Sequence, residues 1–264
     1  MKVILAASAP AAGVLGPALR RAGMEVVHLR WRRGVRPQGL EAEGARALVV
    51  SALFLGVPAP AVEEELLEFP RQAADAARQA GLRRVVFLLP EVGGLGRRLA
   101  LAVQAVAAMM GQVEGAGLLR TGFLVGVGGL WGGRRLPAGV LVPGQGHGGV
   151  QPVLAEDLAQ AVRALLETDR ARARVASFRE VLPLREYLSL VSGRALRVHV
   201  PVSACRLLGL AGGWGLEAEA LARQGRVAVA ENHLEELTGR PPRPVAELAP
   251  GRAPAWLGRL GSSS

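Results

Sequence analysis

The sequence predicts an α/β protein: a doubly wound parallel sheet followed by a small mixed C-terminal lobe. Three observations lead there. Short apolar runs without helical period, at 2–7 (KVILAA), 25–29 (EVVHL), 46–53 (RALVVSAL), 83–89 (RRVVFLL) and 117–125, alternate with segments of helical period. A glycine-containing stretch of small residues joins the first run to the helical segment behind it. After Gly126 the chain becomes rich in glycine and proline, and then breaks into short elements. Alternation at this spacing builds βαβ units, and those require a parallel sheet covered on both faces.

Taken in order, KVILAA is a buried strand because its apolar residues are contiguous rather than spaced by three and four. Gly13 and Gly16 follow in a predicted turn, and Pro17 opens a helix that Gly23 stops. The runs at 25–29 and 46–53 supply the next two strands. Residues 62–80 carry a helical pattern that ends at Gly81, and 83–89 form a strand closed by Pro90. Residues 99–113 (LALAVQAVAAMMGQV) form a helix apolar all round, suited to a core or to a face between two copies of the chain. A strand over 117–125 leads into a predicted loop region over 126–149. Residues 154–167 make an amphipathic helix, and 184–191, 196–200, 205–210 and 217–226 are the short elements of the second lobe. The division expected is 1–175 for the sheet domain, 176–257 for the lobe and 258–264 for a frayed tail.

Composition narrows the function. With 264 residues, half of them hydrophobic, the chain can bury a large core, yet no apolar stretch is long enough to span a membrane. Neither a basic leader nor a cleavage site precedes the first strand, so a cytoplasmic location is the expectation. The single cysteine, Cys205, excludes an internal disulfide framework and a thiolate metal cluster. His28, His147, His199 and His233 are scattered without ligand spacing, so no metal site is expected. The net charge of +10 raises the question of nucleic acid, but all 32 basic residues except Lys2 are arginines, and they fall on polar helix positions away from stackable rings. The cluster Arg170 to Arg174 reads as a solvated helix end, and Glu156 and Asp157 as stabilisers of a helix first turn.

Four segments, in order and at the right spacing, resemble the extended and atypical short-chain dehydrogenase/reductases, a group with sugar-nucleotide epimerases, NmrA-like sensors and a respiratory complex I accessory subunit. The first is KVILA with Gly13-Val14-Leu15-Gly16 and then Leu19 to Val26, similar to the family's strand, glycine turn, helix and second strand. Residues 73–88 resemble the helix entering the central strand. Leu118 to Gly126 is close to the family's "LRPGxxYG", and Gln151 to Ala159 to its "PVHVDDVA". The resemblance implies a Rossmann-like fold and a bound dinucleotide, NADP or NAD.

It also implies where that dinucleotide would lie. Gly13, Val14, Leu15 and Gly16 fall in the fingerprint turn, either cradling phosphate or only packing a helix on the sheet. Arg30 and Arg32 follow the second strand, where a basic residue in this superfamily faces a 2′-phosphate, which favours NADP; as bare residues they are equally readable as solvated charges beside Trp31. Ser51 and Ala52 end the third strand at the ligand edge of the sheet. Leu89, Arg120 and His147 are the candidates for substrate contact.

Departures from the family pattern concern chemistry. The first fingerprint glycine is replaced by Pro10, which removes a backbone donor, and the stretch 6–12 is about three residues longer than the family turn. The family's tyrosine acts as acid/base and a lysine four residues on lowers its pKa. Here the only tyrosine is Tyr187 and the only lysine Lys2, so no such pair exists and no catalytic residue is assigned. Leu89 and Pro90 stand where the polarising hydroxyl belongs. Three functions follow as expectations: an NAD(P)-binding sensor, regulator or assembly subunit with a degenerate active site; a reductase or epimerase/dehydratase-like enzyme using a non-standard site such as Arg120 or His147; or a nucleotide-free module pairing through the helix at 99–113.

Overall fold

The first strand of the computed structural model is β1 (Lys2–Ala7), five of whose six residues are buried. Around it lie α1 (Ala9–Arg21), β2 (Glu25–Arg30), β3 (Ala47–Ser51), α2 (71–79), β4 (Arg84–Pro90) and β5 (Ala116–Thr121). Then come β6 (Phe123–Leu124), β7 (Gly139–Pro143), β8 (Gly149–Val150), β9 (Pro152–Val153), α3 (Ala155–Glu167) and β10 (Ala173–Ala176). The chain continues through β11 (Leu182–Pro183), α4 (Leu184–Ser192), β12 (Leu196–Val200), β13 (Arg226–Val227) and α5 (Leu234–Thr238). The structure describes residues 1–7, 9–30, 44–51, 71–90, 104, 115–121, 123–124, 139–147, 149–168, 173–176, 181–192, 196–201, 204, 226–227 and 232–243.

Six strands form one sheet in the order β2-β1-β3-β4-β5-β10, and every neighbouring pair is parallel. This is the doubly wound α/β sheet that the alternating apolar runs predict. Strands buried on both faces need apolar side chains on both, which is why ALVVS and VVFLL show no alternation. The two faces are still distinct. Val3, Leu5, Ala7, Ala47, Val49, Val86, Leu88 and Leu119 pack in one core with α1 and α3. Ile4, Ala6, Leu48, Val50, Phe87 and Leu89 alternate with them and point to the other face.

α1 is built for its place. Ala11, Val14, Leu15, Ala18, Leu19 and Ala22 recur at helical spacing and are all buried. The structure corrects the turn expected over Gly13 to Gly16: these residues are helical, and the helix begins at Ala9 rather than Pro17. Ala9, Ala11 and Ala12 are of the residue type with the strongest helix propensity, Pro10 is tolerated in a first turn where its missing N–H has no helical partner, and together they outweigh the glycines. Pro17 then sits inside the helix, unable to donate to the carbonyl of Gly13.

Two further expectations are corrected. The segment 126–149 is not wholly loop, because β7 pairs in parallel with β12 along its length. Its partner lies more than fifty residues away, and a pairing so remote leaves no local signature. Arg174, expected at a helix end, is in a strand: α3 stops at Glu167, and Arg174 belongs to β10, which pairs with β5 at the edge of the main sheet, while Arg170 and Arg172 lie outside the described residues. Outside the main sheet lie the β12–β7 pair, the three-stranded sheet β11-β8-β13 and α4, while α5 packs on α3. Among the described residues, no helix is long and apolar enough to cross a membrane.

Candidate functional site

Strand order reverses at β1, which has β2 on one side and β3 on the other. Helices leaving neighbouring strands at such a point diverge, and a crevice opens outside the carboxyl ends of the strands. Here one row of register partners marks the edge: Arg30 opposite Ala7, Ala7 opposite Ser51, Ser51 opposite Leu88. Neighbouring strands lie about 4.8 Å apart, so the Cα atoms of Arg30 and Ser51 are separated by roughly 10 Å, with Ala7 between them. The structure thus brings together two of the residues singled out as dinucleotide contacts.

α1 starts two residues beyond Ala7, so its amino end opens on this crevice. The first four N–H groups of a helix have no partner within it and carry a partial positive charge. No acidic side chain occupies the first turn of α1 to neutralise that charge. Pro10, at the second helical position, lacks an N–H, so one donor fewer faces the crevice. Gly13 is exposed, with open space where a Cβ would stand. Val14 and Leu15 are buried in the α1 core, and Gly16 lies against the ring of His28, so a Cβ there would collide with it. The imidazole of His28 in turn accepts from the guanidinium of Arg20 at 2.9 Å. Gly16 therefore serves close packing of helix on strand, the structural task of a third fingerprint glycine.

Ser51 is the notable polar group. It is 3% exposed, and among the described residues its Oγ has no hydrogen-bond partner. It continues the alternation of Ala47 and Val49, so its side chain lies on the α1 face of the sheet. A buried hydroxyl left unsatisfied costs about 1–3 kcal/mol.

Farther along the edge the character changes. Leu89 is fully buried and pairs in register with half-buried Arg120, both on the face opposite α1. Leu89 and Arg120 are thereby separated from Ser51 by the thickness of the sheet. Pro90 is opposite Thr121, a fully buried residue that continues the α1-face series of Gly117 and Leu119. Sequence reasoning passed over Thr121; its one signal is a hydroxyl at the end of an otherwise apolar strand.

The remaining candidates lie elsewhere. His147 is exposed, just after a turn held by three backbone bonds or side-chain contacts: Gly144 N–H to the Val200 carbonyl, His199 Nδ1 to the Gly144 carbonyl, and Arg185 N–H to the Gly146 carbonyl. Tyr187 is fully buried on α4, its hydroxyl has no hydrogen-bond partner among the described residues, and burial pushes its pKa above the ordinary phenol range. Lys2 pairs with Glu25 at 3.3 Å at the amino end of β1. At 3.3 Å per residue that is about 17 Å from the carboxyl edge. The one tyrosine and the one lysine therefore share no site.

Glu156 and Asp157 occupy the first turn of α3, as their sequence position implies, but each also ties distant segments together. Glu156 accepts from Arg21, at the end of α1, at 2.7 Å. Asp157, only 2% exposed, receives Arg240 at 3.3 Å and Arg243 at 3.2 Å, and so fixes the segment after α5. Among the described residues no group of three or more acidic, histidine or cysteine side chains is placed to hold a metal ion. Arg32, Ala52, Trp31, Cys205 and the helix at 99–113, apart from Gln104, lie outside the described residues, and of Arg30 only the backbone is described.

Solved structures with the same architecture include complexes with nucleotides. MoeE5 in complex with UDP-glucose and NAD superposes with a TM-score of 0.68 at 15% identity, covering 99% of this chain and 100% of its own. The fold is that of the nucleotide-sugar epimerases and dehydratases. The dTDP-glucose 4,6-dehydratase of Bacillus anthracis, in complex with NAD, gives 0.65 at 8% identity over 98% and 97% of the two chains. Human epimerase family protein SDR39U1, with NADPH, gives 0.63 at 17% identity over 94% and 96%. Neither a protein-family model nor a curated protein matches the sequence. The resemblance drawn from four sequence segments is thus borne out at the level of fold.

Proposed function

We propose that the protein binds a nicotinamide dinucleotide across the β1/β3 edge and does not exchange hydride by tyrosine–lysine chemistry. It acts instead as a redox sensor, a regulator or an assembly subunit. The observation that carries the reading is the amino end of α1, free of acidic side chains, opening where the strand order reverses. The residues present fit the group. Orphan N–H donors and the buried Ser51 hydroxyl suit the pyrophosphate, and the basic Arg30 at the end of β2 favours NADP(H) over NAD(H). Structural neighbours that hold NAD or NADPH support the assignment.

What a nicotinamide cofactor supplies when bound is hydride exchange. Among the described residues the tyrosine and the lysine give it no proton relay. Tyr187 is fully buried on α4, Lys2 is at the far end of β1, and the end of β4 is apolar. The polar groups described at the edge therefore bind and orient.

Thermal denaturation with and without NADPH tests the reading. At a concentration a hundred times Kd, binding adds about 2.7 kcal/mol, which raises Tm by roughly 5–10 °C for a chain of this size. The nicotinamide absorbance of NADPH should stay constant during incubation. An unchanged Tm at millimolar NADPH and NADH contradicts the proposal.

A further inference from the structure

We propose that Ser51 is a phosphate-binding residue whose hydroxyl replaces the backbone donor lost at Pro10. The inference rests on the dinucleotide reading and goes past it, by assigning the pyrophosphate contact to a side chain from a different strand. Three observations converge. α1, thirteen residues long, has a proline at its second position, so its first turn offers one N–H fewer. Ser51 is the register partner of Ala7, the last residue before the turn into α1. Its side chain projects from the face that α1 covers, is 3% exposed, and has no hydrogen-bond partner among the described residues.

Each alternative role for Ser51 falls short. A packing role would be met better by Ala or Val, because an unsatisfied buried hydroxyl lowers stability. A structural hydrogen bond would show its acceptor among the described residues, and none is there. The Ser51 hydroxyl can donate, and it ends the strand next to the one that leads into α1, whose first turn presents N–H donors. A ligand that meets both needs acceptor oxygens and gains from negative charge, which describes a pyrophosphate. The arrangement retains the number of donors while moving one of them from α1 to β3.

Titration calorimetry with two probes, NADPH and ADP, on the full chain and three variants tests this. Ser51→Ala should weaken both probes about tenfold, since both carry the pyrophosphate and a hydrogen bond to an ionised oxygen is lost. Its ligand-free melting temperature should be unchanged or higher, because no partner is lost on folding. Pro10→Ala, which restores an N–H, should tighten both probes. In Pro10→Ala/Ser51→Ala the loss should be smaller than in Ser51→Ala alone. Ser51→Ala affinities within twofold of wild type for both probes, with wild type binding NADPH, overturn the Ser51 assignment and leave the dinucleotide reading standing. Binding of ADP that depends on Ser51, without binding of NADPH or NADH, supports the phosphate site and overturns the dinucleotide reading. Failure of wild type to bind either probe overturns both.

Discussion

The two halves of the sheet's carboxyl edge differ in kind. At β1 and β3 the edge carries the amino end of α1 and an unsatisfied buried hydroxyl. At β4 it carries Leu88, Leu89 and Pro90, packed or apolar, where the family resemblance would place a polarising hydroxyl. The first half is polar and the second is core.

Substitutions along the edge test the contrast, beginning with the largest effect. Leu89→Ala removes a fully buried side chain from the central sheet and should cost about 2–5 kcal/mol in urea unfolding. Asp157→Ala releases Arg240 and Arg243 and should cost about 1–3 kcal/mol, with earlier proteolysis of the segment after α5. Tyr187→Phe should leave stability at neutral pH unchanged or raise it by up to about 2 kcal/mol, since it removes a buried hydroxyl that has no partner among the described residues. Its effect appears at high pH. The unfolded phenol ionises near pH 10 while the folded one, its pKa raised by burial, stays protonated, so the folded state holds more protons. Stability of the wild type should therefore fall as pH rises above about 10, and Tyr187→Phe should flatten that limb. Tyr187 is the only tyrosine, so tyrosinate absorbance reports this residue alone. Ser51→Ala is the smallest in stability, between no change and a gain of about 1 kcal/mol. A loss comparable to that of Leu89→Ala would show that Ser51 is packed like its neighbour, and the contrast would fail.

How much of this was legible in the sequence depends on the range of the interaction. Contiguous apolar runs gave the strands of the sheet, because burial on both faces writes itself locally. The strand β7 was not legible, since GVLVP is paired with LRVHV more than fifty residues away. The start of α1 is not legible because glycine and proline weigh locally as breakers, whereas a proline in the first turn, as at Pro10, costs the helix no internal hydrogen bond. At the site, Ser51 could be placed at the edge from its position at the end of an apolar run. Its lack of a partner could not, because that depends on what packs above it. Leu89 and Arg120 could be paired with the edge, but not assigned to the opposite face, until the register was known. The ties from Asp157 to Arg240 and Arg243 span more than eighty residues and leave no local pattern.

The most direct test of the central claim is calorimetric titration of the purified full chain with NADPH, with the nicotinamide absorbance followed through the same experiment. The account predicts saturable binding and an absorbance that does not change. No heat of binding at millimolar NADPH, or steady oxidation of the cofactor without added protein partners, would contradict it.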